Sequence, residues 1–303
     1  MIVKEGYKNI DFKGSHSVTV GTFDGFHRGH KKIALETLNR AAKKELDSCA
    51  VIIESFFDSH RILTTQEEKL YLFKKIGFDK VIVFKKNGSW KDLAARDFIE
   101  KFLIDKLNCK YLAVGKDFKF GQNRKGNSVI LKKYSPKKFY LDIRPLEKYQ
   151  GKKISSSDIR EQLKKGNLNR VNLLLNRNYF FIGKRVEGRK MGRKIGIPTV
   201  NFKIKKNKLL PIGVFGAKAV LRNGKHRNGA CFIGPVKVGK NIRKKRAVEL
   251  NVFNYFPGME KNIECVQLLM KIRDPKEFGK TSELKTWIEK DILSIKDKLR
   301  SNK

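Results

Sequence analysis

Between residues 16 and 143, short β-branched runs alternate with longer stretches of helical periodicity, and this alternation narrows the possible folds more than any other feature of the chain. Runs at His16–Val20, Ala50–Phe56, Lys80–Phe84, Tyr111–Val114 and Phe139–Ile143 predict strands. Between the first two, Ala34, Leu38, Ala41 and Ala42 fall on one face of a helix, and Glu67–Ile76 and Ala94–Leu107 read likewise. Strands separated by helices cannot pair as hairpins, so the pattern predicts an α/β domain with a doubly wound parallel sheet. Ligands of such sheets sit at the carboxyl ends of strands, where the stretch GTFDGFHRGH (21–30) begins.

Past residue 150 the texture changes. Asp158-x-x-Glu161 predicts the start of a short helix with Leu163 on its buried side and Gly166 as its stop, and Leu168–Leu175 a second helix. Strand-like runs follow at Tyr179–Ile182, Val214–Leu221, Cys231–Ile233, Val248–Phe253 and Ile263–Met270, with Asn223-Gly224 as a turn. Closely spaced strands with short turns predict a small antiparallel β-barrel, capped by a C-terminal helix at Ser282–Leu299. The expected domains are 1–176 and 177–303.

Four cysteines without a C-x-x-C pair or a neighbouring histidine predict buried reduced thiols rather than a zinc site or a disulfide framework. No apolar run approaches the roughly 18–20 residues that cross a bilayer, so no membrane is expected and the chain is read as cytoplasmic. The net charge of +39 suggests polyanions, yet it is dispersed in pairs such as Lys31-Lys32, Lys85-Lys86 and Lys164-Lys165. That dispersion reads as a lysine-rich composition, and no specific nucleic acid is expected; the oligomeric state stays open.

In GTFDGFHRGH, Gly21 and Gly25 let backbone approach a ligand, while Gly29-His30 starts a helix whose N-H groups and dipole favour phosphate. His27 and His30, three apart, can face one ligand and donate to phosphate oxygens. A third metal ligand is not evident. The stretch resembles the G-x-F-D-G-V-H-x-G-H signature of bacterial FAD synthetases, which are Rossmann-like nucleotidyltransferases. LTTQEEKLYLFKKIGFDKVIVF (63–84), VGKDFKFGQNRKGN (114–127) and ISSSDIR (154–160) are similar to further segments of that family. The resemblance implies nucleotide binding by Gly21, Phe23, Gly25, Gly29, Asp117, Ser155, Ser156 and Ser157, and catalysis by His27, His30 and Arg160. ESFFDSH (54–60) departs from the family's T-F-x-P-H-P.

EGRKMGRKIGIPTVNF (187–202) sets Gly188, Gly192, Gly196 and Pro198 among Lys and Arg, and places a hydroxyl, Thr199, two residues from an amide, Asn201. Alone it is equally a basic turn on a nucleic-acid-binding barrel. It resembles the G-x-x-x-G-R-x-x-G-x-P-T-A-N of riboflavin kinases, and AVELNVFNY (247–255) resembles their V-E-x-H-x-x-D-F. The resemblance implies ATP binding by Gly192, Arg193, Gly196, Pro198, Thr199 and Asn201, with Thr199, and Asn201 beside it, on Mg²⁺. It makes Glu249, expected to face the barrel interior, the base that accepts a ribityl hydroxyl proton; pairing with Arg246 is the alternative. FIGPVKVG (232–239) and FPGMEKN (256–262) depart from the family pattern.

The chain is accordingly identified as resembling bifunctional riboflavin kinase/FMN adenylyltransferases. Its expected substrates are ATP, riboflavin and FMN, with Mg²⁺ in each step. The alternatives are a protein retaining one activity, given the altered 54–60 and 232–239 loops, or a basic RNA-binding protein using KVGKNIRKKR (237–246).

Overall fold

A computed structural model describes residues 1–7, 10–54, 61–85, 87–188, 192, 195–238 and 243–301, with backbone alone for 236–238 and 243–245. The chain groups into two compact units, Met1–Ser156 and Ser157–Lys303.

The first unit is the expected α/β domain. Its strands are β1 (Ile2–Glu5), β2 (His16–Gly21), β3 (Asp47–Ile53), β4 (Lys80–Phe84), β5 (Cys109–Gly115) and β6 (Tyr140–Arg144). They form one sheet in the order β1-β4-β3-β2-β5-β6, parallel throughout. Successive strands move outward from β2 through β3 to β4, then restart on the other side with β5. The carboxyl ends of β2 and β5 are thus the topological switch point, where such sheets open a crevice for ligands.

The helices are α1 (Arg28–Lys43), α2 (Gln66–Ile76), α3 (Ala95–Asp97, continuing as a π-helix over Phe98–Lys106) and α4 (Ser128–Tyr134). The central strands β3 and β4 are buried almost end to end, as strands covered on both faces must be. Val18, Val51, Ile82, Phe84, Phe102 and Leu112 form their shared core. On α1 the buried stripe is Ala34, Thr37 and Ala41; Leu38 is half-buried and Ala42 exposed, contrary to the expected face. Thr37 belongs inside because both its polar groups are satisfied locally: its hydroxyl donates to Ile33 O and its carbonyl accepts from Ser17 Oγ. The third strand ends at Ile53, short of the expected Phe56, which lies outside the described residues.

A two-stranded ribbon, β7 (Lys148–Tyr149) with β8 (Lys152–Lys153), precedes α5 (Ser156–Lys164) and α6 (Leu168–Leu175). The first of these helices begins two residues before the expected Asp158, which lies in its first turn, where a carboxylate suits the helix dipole. Leu163 is buried and Gly166 adopts φ +76, as a helix stop requires.

The second unit is a seven-stranded antiparallel half-barrel sheet. Its strands are β9 (Tyr179–Phe181), β10 (Lys184–Val186), β11 (Val200–Lys203), β12 (Gly213–Leu221), β13 (His226–Val238), β14 (Arg243–Val252) and β15 (Ile263–Arg273). They lie in the order β10-β11-β14-β13-β12-β15-β9. The turn at Asn223-Gly224 is present, with Gly224 at φ +80. The C-terminal helix, α7 (Thr281–Ser301), is anchored where Arg273 grips the buried Asp291 through Nε at 2.9 Å and Nη2 at 2.7 Å.

Candidate active site

Two groups of predicted residues come together, one in each unit. The first is the turn between β2 and α1. Phe23 at φ +48, Gly25 at φ +81 and Phe26 at φ +41 fold it back on itself. Neighbours hold these left-handed residues in place. Asp24 Oδ1 accepts from Leu63 N at 2.9 Å and Thr64 N at 3.0 Å, Gly25 N donates to Thr64 Oγ1 at 2.9 Å, and Ser156 Oγ donates to Asp24 O at 2.7 Å. Beneath, Phe73 of α2 meets Phe23 and Phe26 edge-on, each at 5.0 Å. The backbone is thereby fixed before any ligand arrives.

At the start of α1, His27 is the N-cap and its Nδ1 accepts from His30 N at 3.4 Å. That bond leaves Nε2 to carry the proton of the neutral ring. The His27 and His30 rings stack at 3.7 Å, and His30 leans edge-on against Phe23 at 5.5 Å. His30 Nδ1 is buried without a hydrogen-bond partner among the described residues. Burial holds the His30 pKa well below 6.5, with His27 and Lys69 adding in the same direction, so this imidazole is neutral at physiological pH. A neutral ring with one unsatisfied buried nitrogen suits a phosphate ligand better than it suits a packed core.

The other predicted members of this group differ in placement. Gly21 ends β2, and a Cβ there would lie 3.3 Å from the Phe23 ring. Gly29 meets only ordinary contacts with the His27 ring at 3.4 Å, so nothing steric demands glycine there. Asp117 follows β5 at the switch point, and its exposed carboxylate pairs with Lys153 at 2.9 Å. Ser155 and Ser156 close the first unit, while Ser157 and Arg160 fall on α5 in the second.

The second group is built on β11 and β14. Asn201 and Glu249 are direct cross-strand partners, so their side chains share a face. That face is not the barrel interior expected for Glu249: Val248 and Leu250 are buried, and Glu249 lies half-buried on the opposite side. The correction follows from strand alternation, because β14 fills its core positions with Val248, Leu250 and Val252. The Arg246 guanidinium donates to the carbonyls of Lys208 and Lys205 at 3.0 and 3.5 Å.

Thr199 immediately precedes β11. With Pro198, Asn201 and Gly188 it lines an open cleft of about 320 Å³. A Cβ at Gly188 would lie 2.3 Å from Asn201 Nδ2, so only glycine lets the backbone pass this close to the amide. Gly192 is equally tight: a Cβ there would lie 2.3 Å from Ile197 O and 3.3 Å from Thr199 Oγ1, and Ile197 N donates to its carbonyl at 2.7 Å. Gly196, at φ +80, makes the turn into Pro198, whose carbonyl accepts from Asn251 Nδ2 at 2.8 Å. Arg193 lies outside the described residues, as do 55–60 and the side chains of 236–245.

The sequence reasoning missed several groups. Arg185, Tyr255 and Glu260 form the far wall of the cleft; Glu260 accepts from the Tyr255 hydroxyl at 2.7 Å and pairs with Arg185 at 2.8 Å. The Tyr255 hydrogen bond, more than the Arg185 charge, holds the Glu260 carboxyl below its ordinary pKa. Asp24, Thr64 and Lys69 stood within quoted motifs without a role. No cluster of three or more His, Cys, Asp or Glu suited to a metal occurs among the described residues. Thr199 and Asn201 are hard oxygen donors that fit Mg²⁺, an ion that keeps several waters and binds through nucleotide phosphates.

Comparison with known proteins places both halves. The FAD synthetase family profile matches residues 10–158, and the riboflavin kinase profile residues 175–299. The bifunctional riboflavin kinase/FMN adenylyltransferase of Buchnera aphidicola subsp. Acyrthosiphon pisum is 34% identical over 97% of each chain. That of Haemophilus influenzae is 30% identical over 92% of this chain and 93% of its own, and that of Bacillus subtilis 30% over 90% and 89%. The crystal structure of a macrolide-efflux protein from Streptococcus pneumoniae superposes with a TM-score of 0.81 over 98% of this chain and 99% of its own. At 24% identity that likeness speaks for the fold alone; among the described residues no helix is long and apolar enough to cross a membrane. Matched in order along both units, the chain belongs to the bifunctional riboflavin kinase/FMN adenylyltransferase family.

Proposed function

We propose that the two halves, 1–176 and 177–303, carry the family's two activities at the two groups of residues described above. The protein phosphorylates riboflavin to FMN and adenylylates FMN to FAD. In the second unit, a ribityl hydroxyl oxygen attacks the γ-phosphorus of ATP, Glu249 accepts the hydroxyl proton, and ADP leaves. Thr199 and Asn201 hold the nucleotide end of the site; Mg²⁺, when bound there, neutralises phosphate charge.

In the first unit, a phosphate oxygen of FMN attacks the α-phosphorus of ATP and the bond to pyrophosphate breaks. The nucleophile is already ionised, so no base is needed, and catalysis reduces to alignment and charge neutralisation. Backbone N-H groups at the start of α1 and the ring N-H donors of His27 and His30 meet the phosphate oxygens. The resemblance of ISSSDIR to the family's segment assigns Arg160 a fixed charge for the leaving pyrophosphate. ATP as a substrate of both steps supports a cytoplasmic location.

One observation carries this division of labour: the first site holds two stacked imidazoles at a helix N-terminus, that of His30 buried and neutral, whereas the second sets a carboxylate opposite an amide on neighbouring strands. Purified protein incubated with riboflavin, ATP and Mg²⁺, with flavins separated by chromatography, is expected to yield FMN and then FAD. FMN without FAD would overturn the adenylyl-transfer assignment, and no product would overturn both.

A further inference from the structure

We infer that Lys69 is a phosphate-binding cation of the adenylyl-transfer site, meeting from the α2 side the phosphate oxygens gathered at the N-terminus of α1. The inference rests on the adenylyl-transfer reading above and extends it to a residue with no role in it so far.

Placement comes from helix geometry. Thr65 caps α2 through a capping box with Glu68, and the neighbouring Thr64 is bonded to Asp24 and Gly25, so the first turn of α2 is pinned to the β2–α1 turn. Lys69 and Phe73 are four residues apart and share a helix face. Phe73 packs on Phe23 and Phe26 of that turn. Lys69 therefore faces the same turn one helical step nearer the pinned end, close enough for its charge to act on His30.

Lys69 is only 6% exposed, unusual for a lysine with no partner among the described residues. Among the described residues its ammonium makes no hydrogen bond or ion pair within 4 Å, although Asp24, Glu54 and Glu68 all lie within electrostatic range. Two of those carboxylates serve other donors: Asp24 accepts from Leu63 N and Thr64 N, and Glu68 from Thr65 N at 2.8 Å. A purely structural lysine would be expected to take a direct ion pair from so acidic a surrounding. Burial lowers the pKa of this one, the more distant Asp24, Glu54 and Glu68 oppose that shift, and the side chain lies on the helix face directed at the turn that presents His27 and His30. A phosphate arriving there meets a largely buried cation, where electrostatic attraction is stronger than in open water.

The test uses the full chain and inorganic pyrophosphate with Mg²⁺ as the probe. Lys69→Met is expected to weaken pyrophosphate binding at least tenfold and to lower kcat for FAD formation by about 10²-fold, the effect of removing one preorganised charge. KM for FMN should stay within twofold, and phosphorylation of riboflavin, carried by the other unit, should not change. Pyrophosphate affinity and kcat within twofold of wild type in a folded Lys69→Met protein would overturn the inference. If that variant unfolds the first unit, Lys69→Arg and Lys69→Gln decide: affinity that follows the charge supports the inference, and equal affinity in both overturns it. Wild-type FAD formation is measured alongside; its absence would overturn the underlying reading of the site, whereas unaltered Lys69→Met kinetics with normal wild-type synthesis overturn the inference alone.

Discussion

The turn after β2 and the ladder between β11 and β14, the two proposed nucleotide sites, are built from opposite materials. At the turn, three residues in left-handed conformations are held by Asp24, Thr64 and Ser156, and the helix that follows begins with two stacked imidazoles, that of His30 leaning on Phe23. On the ladder the backbone is regular, and the chemistry resides in side chains on its outward face, Asn201 and Glu249. In the proposed reactions the difference tracks the nucleophiles. A phosphate arrives without a proton and asks only for geometry and charge; an alcohol must lose a proton and asks for a base.

The sharpest way to break this contrast is to remove the base. Glu249→Gln is expected to slow riboflavin phosphorylation by about 10³-fold while FMN supplied from outside is still converted to FAD. Retained kinase turnover in chromatographic assays would mean the ladder holds no general base. His30→Ala should act on the other half alone, lowering FAD formation by about 10²–10³-fold and leaving FMN accumulating. The reverse pattern in either variant would exchange the two sites.

A smaller effect sharpens the ladder's geometry. Gly188→Ala drives a methyl group toward Asn201 Nδ2, 2.3 Å away, so the amide must rotate off its position. Kinase activity should fall by about tenfold or more, with adenylyl transfer unchanged. The turn, in contrast, should respond in stability: Asp24→Ala strands the buried N-H groups of Leu63 and Thr64 and is expected to cost about 1–3 kcal/mol in denaturant unfolding.

The smallest effect is a pH dependence confined to the first unit. Burial is the main cause that lowers the folded pKa of both His16 and His30 below 6.5. The unfolded chain then takes up protons first on acidification, so stability is fully present above pH 6.5 and declines as pH drops beneath it. His16 shows the balance: burial and the Lys80 ammonium, from which Nε2 accepts at 2.9 Å, oppose protonation and outweigh the Leu107 carbonyl at 2.5 Å from Nδ1, which favours it. Equilibrium unfolding followed from pH 8 to 5 should show this loss.

The parallel order of the first unit was legible because β3 and β4 are buried on both faces and read as unbroken apolar runs. β1 was not, since IVKE is a mostly exposed edge strand whose pairing with β4 leaves no periodic mark. β13 and β14 extend far beyond their apolar segments, because ladder hydrogen bonds continue where core contacts have stopped. In the sites, glycines and histidines announced themselves by spacing. The face of Glu249 was misread because its neighbours Val248 and Leu250 already claim the interior. Lys69 escaped notice because QEEKLYLFKK carries three lysines of equal appearance. Only the packing of Phe73, one turn further on, singles out the one that points inward.

The bond from His30 N to His27 Nδ1 has one more consequence. It ties a tautomer to a backbone conformation, so the ring reports on the helix terminus that holds it. In protein carrying ¹⁵N-labelled histidine, the His27 Nδ1 resonance is a built-in gauge of the cap, and Nε2 of whatever meets the ring from outside. Ligands that bind by contact alone will move the second and leave the first in place; any that unwind the start of α1 will move both.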